Sequence, residues 1–223
     1  MRYQTLGKNK NMKKLYNLFI LDKSGSMDCV RQDTLNNLNE YIESIKHASQ
    51  ENDVDLLFTL LFFDTSVEFK KVNIPIIQVE KLNLQDYVPS GCTSLNDAIG
   101  VGISKVQNEL GDVVNNPDVK IKVYILTDGQ ENSSQEYTVD KISRLIKQLS
   151  EDGKWEFQFI GCGGIEEVKQ VADSYSISNS MACLSSSEFV VSQNALRNYT
   201  CNYIADYGKG IESKTKLEDF LIE

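Results

Sequence analysis

The segment Asp22-Lys-Ser-Gly-Ser-Met27 sets one carboxylate and two hydroxyls, those of Asp22, Ser24 and Ser26, on alternate residues around a glycine that lets the chain curl. Alternate residues of an extended or curled segment point to one side, so three oxygen donors converge. Asp128 ends another apolar run and supplies a second carboxylate, and Thr93 offers a further hydroxyl just ahead of a helical pattern. A donor set made only of oxygen suits a hard cation: Mg²⁺, with Mn²⁺ or Ca²⁺ as substitutes. Zinc, copper and iron favour nitrogen or sulfur. The single histidine, His47, lies within a helical pattern, so His-based zinc sites and Ser-His-Asp chemistry lack their parts. Taken singly, each aspartate reads better as a strand end or helix cap, and each serine as a turn residue. The five together favour a metal centre.

Such donors need rigid elements behind them. Residues 15–21 are a near-continuous apolar run ending at Asp22, the pattern of a strand buried on both faces. Apolar residues at helical spacing from Val30 through Ile45 predict a helix over 30–49. Residues 55–63 read as a second buried strand and 67–72 as a third, and the short link 64–66 implies an antiparallel edge pair. Residues 73–92, with Pro75 and Pro89, read as an irregular crossing with a helical turn over 79–87. A helix starts near Ser94, where Ser94-Leu-Asn-Asp97 matches a capping-box variant, which makes Asp97 a cap and not a ligand. Strand 120–127 stops at Asp128. It is followed by helix 139–149, strand 155–160, helix 165–175, a short strand over 181–184 and helix 187–203. Gly161-Cys-Gly-Gly164 lacks both the Walker ending and the GxGxxG spacing, and reads as a turn into a helix. Asp28 and Asp64 read as solvated loop acids.

Strands alternating with helices imply an α/β architecture, a mostly parallel sheet covered on both faces. Ligands of such sheets sit at the carboxyl ends of the strands, near the point where strand order reverses. Asp22 and Asp128 stand at two such ends.

At 223 residues, 41% hydrophobic and 25% charged, the chain is neither disordered nor fibrous. A chain of this size buries roughly 70% of its unfolded surface, so its core needs no disulfide or structural metal. The uncharged apolar run at 56–63 falls well short of the roughly 20 residues that cross a bilayer, and no membrane partner is expected. Residues 2–14 lack the apolar core of a secretion signal, so the expectation is a cytoplasmic protein. Five cysteines, at 29, 92, 162, 183 and 201, show no CxxC pairing and read as reduced thiols. Residues 1–14 hold five basic residues and no acid, which leaves −14 on the rest against −9 for the whole. That body repels nucleic acid, and the basic arm reads as a solvated terminus.

Asp22-Lys-Ser-Gly-Ser-Met27, Gly91-Cys-Thr93 with Leu95 and Asp97-Ala-Ile99, and Leu126-Thr-Asp128-Gly129 resemble, in order, the three segments of the metal-ion-dependent adhesion site (MIDAS) of von Willebrand factor A domains. The resemblance covers roughly residues 15–203. It implies a Rossmann-like, doubly wound, mostly parallel six-stranded sheet with one short antiparallel edge strand. It also implies Asp22, Ser24, Ser26, Thr93 and Asp128 as ligands, direct or through water, of Mg²⁺ or a similar ion. The divisions that follow are a basic arm at 1–14, the domain at 15–204 and a C-terminal tail at 205–223. Cys92 stands where such domains frequently have a second glycine, which bears on the shape of that loop. The compact build is similar to intracellular bacterial and phage members of the tellurium-resistance type.

Two functions compete. One is a non-catalytic module whose metal receives an Asp or Glu carboxylate from a partner protein. The other is a Mg²⁺-dependent phosphohydrolase or phosphotransferase with Asp22 as nucleophile, since a strand-end aspartate also begins that design. Against the enzyme, position 24 is serine where a second acid is expected, and no well-placed lysine completes a phosphate clamp.

Overall fold

A computed structural model describes residues 13–220, so most of the basic arm, residues 1–12, lies outside the described residues, as do residues 221–223. The apolar runs form strands β1 (Lys13–Asp22), β2 (Val54–Phe63), β3 (Val67–Pro75), β4 (Val119–Thr127), β5 (Trp155–Cys162) and β6 (Asn179–Cys183). The helical patterns form α1 (Arg31–Glu51), α2 (Leu95–Leu110), α3 (Val139–Ser150), α4 (Ile165–Ser174) and α5 (Ser186–Lys209).

Period-two alternation within the strands divides the core in two. From β1, Leu15, Phe19 and Leu21 join one apolar cluster, with Leu35, Leu38 and Ile42 of α1 and Leu196 and Ile204 of α5. Tyr16, Leu18 and Ile20 face the other way and join the cluster that holds Ile99 and Ile103 of α2, Ile142 of α3 and Val168 of α4. Burial on both faces is why these strands read as continuous apolar runs. The sheet order is β3-β2-β1-β4-β5-β6, parallel throughout except for β3, which runs antiparallel to β2. Strand order reverses between β1 and β4, which pair directly from Lys14↔Val119 to Leu21↔Leu126. The switch point therefore puts Asp22 and Asp128 side by side.

The structure corrects several boundaries. β1 starts at Lys13, so the last two residues assigned to the arm belong to the sheet. β3 continues to Pro75, past two register shifts around Leu60, and its Asn73 takes a left-handed φ of 50° while its N–H bonds Thr59 Oγ1. In the crossing segment the helical turn is a 3₁₀ turn at Ile76–Gln78, earlier than the 79–87 expected. The largest change is at the end of the chain. α5 runs to Lys209 and stops at Gly210, a left-handed cap with φ 75°. Beyond it, Leu217 is fully buried and Phe220 packs edge-on against Tyr199 with ring centroids 6.1 Å apart. The tail expected over 205–223 is thus anchored to the domain within its described residues, through Tyr207, Leu217 and Phe220.

Part of that docking is polar. Lys122 of β4 is buried under α5, with its ammonium 3.5 Å from the Tyr203 ring centroid, 3.1 Å from Tyr199 Oη and paired with Glu156. Burial pulls its pKa down to about 8 against the Glu156 charge. Among the described residues no helix is long and apolar enough to cross a membrane.

Candidate metal centre

Asp22 is the last residue of β1 and is fully buried. Its Oδ1 accepts the Ser24 N–H at 2.6 Å, which curls the loop back over the strand end, and its Oδ2 accepts the Thr127 hydroxyl at 2.5 Å from the neighbouring end of β4. From there a polar chain crosses the switch point. The Ser24 and Ser26 hydroxyls lie 3.1 Å apart, and Ser26 Oγ donates to Asp128 Oδ1 at 2.7 Å. Thr93 comes from a third segment. A Cβ placed on Gly129 would lie 3.1 Å from Thr93 Oγ1 and 3.8 Å from Ser26 Oγ, so both hydroxyls face the same glycine. Asp22, Ser24, Ser26, Thr93 and Asp128 are thus brought to one place.

Burial of charge dominates the electrostatics. Burial pushes the Asp22 carboxyl up to about 6 against the hydrogen bonds from Thr127 and Ser24, and the Asp128 charge adds to the rise. Asp128 is also raised by burial, with the Ser26 hydrogen bond opposing. Among the described residues neither aspartate has an ion-pair partner. No cluster of three His, Cys, Asp or Glu side chains forms a metal-binding group among them either. An ion held here must take most of its shell from hydroxyls, and that oxygen-only chemistry fits a hard divalent cation.

The supporting residues are less legible. Asp64, expected to be solvated, is buried: it accepts the Ser66 N–H and hydroxyl and pairs with Lys23 Nζ at 3.3 Å. Burial alone would raise its carboxyl, but the Ser66 bonds and the Lys23 charge hold it below the usual range. Its backbone carbonyl takes the Ser94 N–H and hydroxyl, which seats the start of α2. Asp28 is exposed. Asp97 does not cap its own helix. Its carboxylate accepts the N–H groups of Gln135, Glu136 and Tyr137, and it orders the loop after Asp128. That loop caps α2 in return, with Glu131 Oε2 accepting the Asn96 N–H and Asn132 Oδ1 accepting the Thr93 N–H. The buried Tyr87 hydroxyl donates to the Asp22 carbonyl at 2.6 Å. Thr127 is the nearest functional residue that sequence reasoning missed. Its signal is strand register, Leu21 opposite Leu126 and hence Asp22 beside Thr127, which a single sequence does not display.

The Gly91-Cys92 loop resolves simply. Gly91 has φ +70°, and a Cβ there would lie 2.5 Å from Thr65 Oγ1, the atom that accepts the Cys92 N–H. Cys92 is exposed and is not among the described residues with positive φ, so the loop needs glycine only at 91. Gly91→Ala is expected to cost about 1–3 kcal/mol, read as a lower denaturant midpoint, and to weaken divalent-ion binding by displacing Thr93. Cys92→Gly should leave ion binding unchanged in calorimetry.

These features define the von Willebrand factor A fold, and solved structures agree. Proximal thread matrix protein 1 (PTMP1) from the mussel byssus matches with TM-score 0.57 and 15% identity over 85% of this chain and 46% of that one. A von Willebrand factor type A protein from Catenulispora acidiphila matches with TM-score 0.54 and 14% identity over 88% and 43%. The pilus adhesin SpaC from Lactobacillus rhamnosus GG matches with TM-score 0.63 and 12% identity over 88% and 31%. This chain therefore spans less than half the length of each. One structure of the mussel protein has a zinc-occupied MIDAS motif. No protein-family model matches the sequence, and no curated protein matches it significantly.

Proposed function

We propose that this chain is a non-catalytic, metal-dependent protein-interaction module. Asp22, Ser24, Ser26, Thr93 and Asp128 hold a divalent ion, Mg²⁺ or else Mn²⁺ or Ca²⁺, and the ion receives an Asp or Glu carboxylate from a partner protein. One observation carries the reading: a fully buried aspartate sits in the field of a second one, with no described cation against either. Unpaired buried charge is costly, and a cation bound between the two converts the repulsion into attraction. The zinc-occupied motif of the mussel protein supports a divalent ion in this fold. The competing reading, Asp22 as a phosphoryl nucleophile, is disfavoured because Ser24 stands where that design expects a second acid.

Titration calorimetry with Mg²⁺, Mn²⁺, Ca²⁺ and Zn²⁺ tests the site, zinc being included because a structural neighbour carries it. At a hundredfold excess over Kd the bound ion should stabilise the fold by about 2.7 kcal/mol. For a domain of this size that is a rise in Tm of roughly 5–10 °C. Absence of binding by all four ions at millimolar concentration would overturn the assignment.

A further inference from the structure

We propose that Cys162 and Cys183 form a reversible thiol–disulfide site that exchanges with low-molecular-weight disulfides. The two residues are direct register partners at the paired ends of β5 and β6. Register partners on parallel strands project to the same side: Cys183 lies in the apolar cluster that also holds Ile160, Met181 and Phe189, and Cys162 packs against it. The two thiols perturb each other: Cys183 and burial push the Cys162 thiol up, and Cys162 pulls the Cys183 thiol down. Neighbouring strands lie about 4.7–4.9 Å apart, inside the roughly 4.4–6.8 Å Cα separation that a disulfide spans.

The site also has an order of access. Cys183 is 1% exposed, whereas Cys162 is partly exposed and borders an open cavity of about 290 Å³ that reaches Thr127 and Gly129 beside the metal centre. Exposure and not acidity sets the order: although Cys183 and burial hold the Cys162 thiol up, it is the Cys162 thiolate that meets the small disulfide first. It attacks one sulfur of RSSR, forms a mixed disulfide and expels RS⁻, which takes up the Cys162 proton. The Cys183 thiolate then attacks the Cys162 sulfur, closes the Cys162–Cys183 bond and expels the second RS⁻, which takes up the Cys183 proton. Two protein thiols are oxidised, and one disulfide is reduced to two thiols.

Closure needs a small movement, because Cβ atoms of a disulfide approach to about 3.5–4.5 Å, nearer than the strand spacing. β6 can supply it, being an edge strand of five residues paired only with β5. The strain of closure makes the bond easy to reduce, the property of a regulatory disulfide and not of a structural one.

The test uses the full chain, incubated folded with oxidised glutathione, then alkylated and digested with trypsin without reduction. Cleavage after Lys169 puts the two cysteines in separate peptides. The expected result is a linked Cys162–Cys183 pair, lighter by two hydrogens, with both alkylation sites lost and restored by dithiothreitol. Cys183→Ser should stop the reaction at the first step, with glutathione retained on Cys162. The proposal is overturned if Cys162 and Cys183 are both alkylated while glutathione sits on Cys29 or Cys92, or if Cys183→Ser carries no adduct at Cys162.

Discussion

Asp22→Asn should raise the melting temperature of the metal-free protein at pH 7 and abolish its response to Mg²⁺. Asparagine keeps the shape, and its carbonyl can still accept the Ser24 N–H. The other contact reverses without loss, because Thr127 Oγ1 lies 3.1 Å from the Gly129 carbonyl and can donate there while accepting from the new amide. What disappears is the charge. Each factor of ten in proton affinity is worth about 1.36 kcal/mol, so raising this carboxyl from 3.8 to about 6 means that ionised Asp22 costs the metal-free fold roughly 3 kcal/mol at pH 7. The folded state holds this proton more tightly than the unfolded state, so stability falls as pH rises through 6 and the favourable contribution is complete only below about 4. The gap between wild type and Asp22→Asn should therefore close as pH is lowered from 7 to 4, a comparison that cancels the other acids. With Mg²⁺ present the sign inverts, because the ion needs the ionised form and its affinity should drop below pH 6. A mutant that melts lower than wild type without metal at pH 7 would show that Asp22 is a structural anchor and not a ligand.

Removing one carboxylate from the partner should weaken its binding by about 30-fold or more, and EDTA should abolish binding. Two protein carboxylates neutralise a divalent ion, while the hydroxyls of Ser24, Ser26 and Thr93 add no charge. An ion bound as proposed would therefore keep enough electrophilicity for one further anionic oxygen. Hard octahedral ions release water reluctantly, which favours a well-placed carboxylate over a passing carbonyl. Breaking a buried charged contact across an interface costs about 2–5 kcal/mol, and about 1.4 kcal/mol is tenfold in Kd. The partner surface around that acid should be neutral or basic, because the chain beyond its first 14 residues carries −14. Binding measured by surface plasmon resonance that persists unchanged in EDTA, or survives alanine at every acid of the partner's interface, would rule the mechanism out. Binding that is lost in EDTA but indifferent to those acids would keep the metal and discard the carboxylate.

Legibility in the sequence followed the range of the interaction concerned. Asp22, Ser24 and Ser26 are legible because their spacing is local, and so are the strands whose apolar runs are continuous. Asp97 was misread because Ser94-Leu-Asn-Asp97 has the spacing of a cap, yet its carboxylate is taken by three N–H groups roughly forty positions on. Asp64 was misread because a loop acid between two strands is usually wet, and here Lys23 and Ser66 close over it. The end of α5 was set too early because Ile204 and Tyr207, beyond residue 203, continue its buried face, and the Tyr207 hydroxyl donates to the Lys14 and Asp118 carbonyls.

By itself the sequence determined the α/β alternation, the doubly buried strands and the oxygen-only donor set at the strand ends, because hydrophobic period, glycine position and side-chain chemistry are properties of short segments. Only the tertiary structure decided that β1 lies against β4, so that Asp22 is sealed beside Thr127 and within reach of Asp128. It alone set Cys162 opposite Cys183, and it alone turned Asp97 and Asp64 into supports for the Thr93 loop. Strand order, register and burial arise from contacts between residues far apart in the chain, and the carboxyl pKa values that govern this site follow from that burial.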